Sequence, residues 1–90
     1  MIVVRILDEG QYELADASRD ELEARDARLL DALESNDDTA YWAELDGLLA
    51  FVRTTGAELP LDVIMPSEFV LPNRDMSTAG VRDFLTEHLA

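Results

Sequence analysis

The chain has no cysteine and no lysine, a single histidine and a single tryptophan, and only three prolines, all in one stretch. Without cysteine there is no disulfide framework, no thiolate nucleophile and no zinc–thiolate site. The lone histidine, His88, has no second histidine or serine constellation to act with. At the end of a helix its imidazolium sits well near the negative end of the dipole. No apolar run approaches the roughly 20 residues that cross a bilayer. The apolar opening, Met1 to Leu7, is short and runs into Asp8-Glu9-Gly10, so no signal peptide is expected. The four glycines are scattered, with no phosphate-cradling loop, dinucleotide fingerprint or calcium-loop spacing. Adjacent carboxylates such as Asp8-Glu9 and Asp37-Asp38 do glycosidase-type work only when held across a cleft with divided pKa values. A turn and a helix cap account for them here. No catalytic, cofactor-binding or metal-ligating residue is assigned.

What the chain has in excess is negative charge. Twenty acidic residues face seven basic ones, all arginine, for a formal charge of −13. Such a surface repels phosphate backbones and anionic lipid, so neither nucleic acid nor a membrane is expected as a direct partner. Two readings of the acidity stand: a solvated surface suited to a salt-rich cytoplasm, or a face that steers towards a basic partner. An apolar fraction of 48% is that of a folding chain. Ninety residues make one domain, 1–90. A chain of this size buries roughly 60–65% of its unfolded surface, so partner binding or self-association would add to a thin margin.

The patterning predicts an α+β fold. Residues 2–7, β-branched and aliphatic, read as a buried strand. Asp8-Glu9-Gly10-Gln11 supplies a turn with Gly10 free to take a positive φ. Tyr12 and Leu14 alternate with Gln11 and Glu13 as in a half-buried strand, which completes an N-terminal β-hairpin. Ser18 and Glu21 match a capping box for a helix over about 19–35 with Leu22, Leu29, Leu30 and Leu33 on one stripe. Asp37 or Asp38 caps a second helix over about 39–54, carrying Tyr41, Trp42, Leu45, Leu48, Leu49 and Val52. Gly56 is placed to end it in the left-handed conformation. The short linker makes the pair an antiparallel αα-hairpin. Gly47, costly by roughly 1 kcal/mol inside a helix, suggests close approach of the first helix there. Pro60, Pro66 and Pro72 flank Val63-Ile64-Met65 and Phe69-Val70-Leu71, each a short strand or an extended segment confined to an edge. Ser77 caps a last helix, about 78–88, with Met76 and Val81 as a hydrophobic staple and Phe84 and Leu85 on its inner face.

Candidate partner contacts follow from apolar residues that one core cannot absorb. Tyr41 and Trp42 point about 100° apart on a helix, so one of them belongs at a rim. Trp42 reads either as an anchor between the helices or as an exposed aromatic of the kind that dominates binding. Phe69, Val70 and Leu71 present apolar side chains on both faces of an edge segment that could receive a partner. The candidate contacts are Tyr41, Trp42, Pro66, Phe69, Leu71 and Pro72.

The run Met1-Ile2-Val3-Val4-Arg5-Ile6-Leu7, followed by Gly10-Gln11-Tyr12, resembles the opening of the PspA-associated proteins. Those begin with an apolar strand ending in Arg-Ile/Val-Leu and continue Gly-Glu-Gly-Gln-Tyr. An αα-hairpin ending near Val52-Arg53 and Gly56 is also similar. So is Pro66-Ser67-Glu68-Phe69-Val70-Leu71-Pro72, which resembles the family's Pro-Ser-Asp-Leu-Ile-Leu-Pro, and so is Asp75 before a capped helix with Val81 and Leu85. Departures are Asp8 where the family often has Gly, Glu68 where it has Asp, and no counterpart of its Gly-Leu-Ile-Pro-Gly tail after His88-Leu89-Ala90. The resemblance implies a cytoplasmic, non-catalytic adaptor in an envelope-stress (phage-shock) response. Its partner would be a PspA-like coiled-coil protein, through which alone it would reach the membrane. The alternative is a self-associating module, a homodimer or larger assembly, with no such link.

Overall fold

A computed structural model describes residues 1–81. Strand β1 (Ile2–Ile6) pairs antiparallel with β2 (Gly10–Leu14), with Ile2 opposite Leu14 and Ile6 opposite Gly10. The turn between them takes positive φ at two residues, 62° at Asp8 and 150° at Gly10. Asp8 thus adopts the left-handed geometry that glycine fits best, which few other side chains tolerate. Helices α1 (Arg19–Glu34) and α2 (Asp38–Thr55) follow, then a two-residue strand β3 (Ala57–Glu58) and β4 (Phe69–Leu71). The sheet order is β3-β2-β1-β4, with β3 antiparallel to β2 and β4 parallel to β1. The α+β arrangement of hairpin, helix pair and edge strand is the one the patterning predicts; β3 is an addition to it.

Period-two alternation puts Ile2, Val4 and Ile6 on one face of the sheet, where they pack with Leu22, Leu29, Leu33, Tyr41, Leu45, Leu48, Leu49 and Val52 in one core. The helix pair therefore covers one face only. It is antiparallel: Arg28 of α1 meets Glu44 at 3.3 Å, and Arg25, one turn earlier, lies over Phe51, further along α2. At Gly47 an added Cβ would stand 3.2 Å from the Arg25 guanidinium, so the close approach expected there is made by an α1 side chain.

The ends of the helices correct two expectations. Ser18 does not form a capping box. A 3-10 turn at Asp16–Ser18 leads directly into α1, so Ser18 already has helical angles (φ −84°, ψ −5°) and its side chain makes no cap bond. Glu21 pairs instead with Arg25. Gly56 is extended (φ −87°, ψ 167°) rather than left-handed. It is needed for space: a Cβ would sit 2.8 Å from the Val52 carbonyl oxygen and 2.9 Å from Leu14 Cδ1. The left-handed C-terminal residue belongs to α1, where Asn36 has φ 56°. There the Asp37 N–H reaches the Ala32 carbonyl and the Asn36 N–H that of Leu33, the two bonds of a Schellman motif. Asp37 then caps α2 by accepting from the Ala40 N–H at 3.0 Å.

Of the two Pro-flanked triplets, Phe69-Val70-Leu71 is an edge strand and Val63-Ile64-Met65 forms no strand. Ser77 caps the last helical turn, 78–81, through a 3.1 Å bond from the Gly80 N–H, and Met76 and Val81 both pack on the core. The rest of the helix expected over about 78–88, with Phe84, Leu85 and His88, lies outside the described residues.

Candidate functional site: a strap across the back of the sheet

The sheet face away from the helices is crossed by residues 59–68. The two ends of this strap are fixed by backbone bonds of 2.9 Å, from the Leu59 N–H to the Gln11 carbonyl and from the Glu68 N–H to the Val3 carbonyl. Pro60 and Pro66 have no N–H to give to a strand ladder, and one side chain takes the ladder's place. The Gln11 amide nitrogen donates to the Met65 carbonyl (2.6 Å) and to Ser67 Oγ (2.8 Å), and its oxygen accepts from the Met65 N–H (3.2 Å). Alternation assigns Gln11 to the solvent side of β2. The strap covers that side, leaving Gln11 only 4% exposed and Val3 buried as well.

Most of the side chains that the strap exposes are aliphatic, with the carboxylates of Asp62 and Glu68 beside them. Leu61 is 78% exposed, Ile64 83% and Val63 41%. Together with Leu59, Pro60, Gly10, Gln11 and Arg5 they line a hollow of about 160 Å³. Leu61 lies over Gly10, where an added Cβ would meet its Cδ2 at 3.5 Å. Arg5, half-buried on β1, forms part of the wall and stands between Gln11 of β2 and Val70 of β4 in the sheet.

The six residues singled out by sequence are not gathered here. Tyr41, Leu71 and Pro72 are buried. Phe69 is half-buried against the core, and only Pro66 is exposed on the strap. Trp42 is half-buried at the rim of α2, edge-on to Tyr41 (centroids 5.0 Å apart, planes at 80°) and under the Arg74 guanidinium at 5.1 Å. Arg5, Gln11, Leu61 and Ile64 escaped selection. The signal for Leu61 and Ile64 was Pro60-Leu61-Asp62-Val63-Ile64-Met65-Pro66, four apolar residues between prolines that no regular element can bury; Arg5 and Gln11 had none.

Two polar clusters elsewhere show what protonation chemistry the fold holds. Glu9 accepts from Arg53 Nε (3.0 Å) and from the Tyr12 hydroxyl (2.7 Å). The Arg53 bond, then the Tyr12 bond, holds the Glu9 carboxyl below its ordinary range. The same carboxylate, with burial, pushes Tyr12 up to about 12. This cluster ties the end of α2 to the hairpin turn. The second is a cleft of about 30 Å³ between α1 and β4, lined by Asp26, Leu29, Leu30, Tyr41, Val70 and Val81 among others. Burial raises the Asp26 carboxyl and pushes the Tyr41 phenol up to about 12. Both shifts come from desolvation, with no second charge to divide the two pKa values, and the volume is about one water's share of liquid. Among the described residues no group of three or more potential metal ligands converges, and no helix is long and apolar enough to cross a membrane.

Fold and surface together define a class: a small mixed sheet covered on one face by an αα-hairpin and on the other by a clamped apolar strap. The family model for PspA-associated proteins matches residues 1–89, and the chain belongs to that family. No curated protein and no solved structure matches it. The family is one of PspA association rather than an enzyme family.

Proposed function

We propose that this chain is a non-catalytic adaptor that binds a PspA-like coiled-coil protein in an envelope-stress response, docking through the strap. The observation that carries the reading is the pair Leu61 and Ile64, 78% and 83% exposed on a segment fastened by Gln11 rather than free. Clustered exposed aliphatics mark interaction surfaces, and burying each such side chain contributes about 1.5–3 kcal/mol. Membership of a PspA-associated family supports the choice of partner. The protein would act in the cytoplasm, and the charge of −13 supports contact with the membrane only through the partner.

Co-purification tests this. The full chain is expected to retain the PspA-family protein of the same cell at moderate salt. The double substitution Leu61→Ser, Ile64→Ser is expected to lose it with the thermal midpoint kept. Absence of a complex between two folded proteins contradicts the reading. So does a homodimer that buries the strap and excludes the partner, which light scattering over micromolar concentrations would reveal.

A further inference from the structure

We infer that the strap hollow reads a carboxylate on the docking partner, with Arg5 as the group that receives it; this rests on the docking surface proposed above. In a chain with twenty acidic residues, Arg19, Arg25, Arg28, Arg53 and Arg74 each have a carboxylate oxygen within 3.3 Å. Arg5 has none among the described residues, and it lies in the wall of the hollow bordered by Leu61, Val63 and Ile64. Its strand neighbour Gln11 does not satisfy it, because the Gln11 amide is committed to Met65 and Ser67. A guanidinium carries five N–H donors in a planar fork that matches a carboxylate. A half-buried, unpaired guanidinium beside apolar surface is therefore a specific receptor.

The size of the hollow limits what enters it. At about 160 Å³ it is below the roughly 300–1,000 Å³ of small-molecule sites, and it suits one large aliphatic side chain. An occupant that fills it and reaches Arg5 needs an aliphatic residue with an Asp or Glu as a near neighbour on the same surface. Positions i and i+3 or i+4 on a helix supply such neighbours, as a coiled-coil partner would. The long-range field sets a further condition. A net charge of −13 repels a broadly acidic partner, so the carboxylate is an isolated one on an otherwise neutral or basic helix face. Screening beyond roughly 8 Å at physiological salt leaves the local pair as the discriminating contact. A lipid phosphate would also satisfy a guanidinium, but a single arginine on so acidic a molecule does not overcome repulsion from an anionic bilayer.

The test measures affinity of the intact chain for the PspA-family protein by calorimetry. Arg5→Gln is expected to weaken binding about tenfold or more. Arg5→Lys should retain part of it, and Arg5→Glu should abolish it. Binding by the Arg5→Glu chain should return when one helix carboxylate of the partner is replaced by lysine. A partner that still binds the Arg5 variants at wild-type affinity but loses the Leu61→Ser, Ile64→Ser chain overturns this inference and leaves the docking surface standing. Binding indifferent to both sets of variants, or no binding at all, overturns both. Binding of the chain alone to anionic phospholipid vesicles, lost in Arg5→Gln, overturns the inference in favour of a lipid phosphate.

Discussion

Tyr41 occupies the centre of the core with no accessible surface, and its hydroxyl has no hydrogen-bond partner among the described residues. An unsatisfied buried hydroxyl costs about 1–3 kcal/mol of desolvation. The ring earns its place by packing, edge-on to Trp42 and among the leucines of both helices. Tyr41→Phe keeps the ring and removes the burden, so it is expected to stabilise the fold by about 1 kcal/mol, several degrees in the thermal midpoint of a chain this size. A loss of more than 1 kcal/mol in a denaturant titration would mean that the hydroxyl has a partner. The angular argument from sequence put one of Tyr41 and Trp42 at a rim. Which one depends on how α2 is rotated, and that is settled by Leu45, Leu48 and Val52 lining up with Tyr41. Gly56 shows the same limit: its position was legible as special, but the reason was not. A left-handed φ is a local property; the steric demand of the Val52 carbonyl and Leu14 is a tertiary one.

At the scale of elements, the helices and the hairpin were legible from local signals: a β-branched, aliphatic run for β1, period two for β2, and i, i+3, i+4, i+7 for α1 and α2. The strap and β3 were not. Ala57 and Glu58 have no strand signature and pair with β2 because the chain leaves α2 beside it. The strap has no period, and its anchor, Gln11, lies 54 residues from Met65 in sequence. A polar residue in a half-buried strand reads as outward, and only the fold shows that something lies over it. Gln11→Ala removes three hydrogen bonds and leaves the Met65 backbone groups unmatched. It is expected to cost about 1–3 kcal/mol and to make the segment from Pro60 to Ser67 the first site of limited proteolysis. A variant with unchanged stability and an unchanged cleavage pattern would show that the backbone bonds at Leu59 and Glu68 hold the strap without the clamp.

Across the whole molecule, charge and apolar surface are divided. Carboxylates are spent on caps, turns and arginine pairs or left to solvent. Among the described residues the most exposed aliphatics, Leu61 and Ile64, sit together on one segment of the face the helices do not cover. The α+β class and the family were legible in short motifs spread along the chain, whereas the docking face was not, because exposure is a property of the assembled molecule. The central claim is that the strap is that face. Hydrogen–deuterium exchange on the chain, with and without its PspA-family partner, tests it most directly. Slowed exchange on complex formation at residues 61–65, with the outer faces of residues 19–55 unchanged, is the expected result. Protection confined to the two helices, with the strap exchanging as in the free chain, would contradict it.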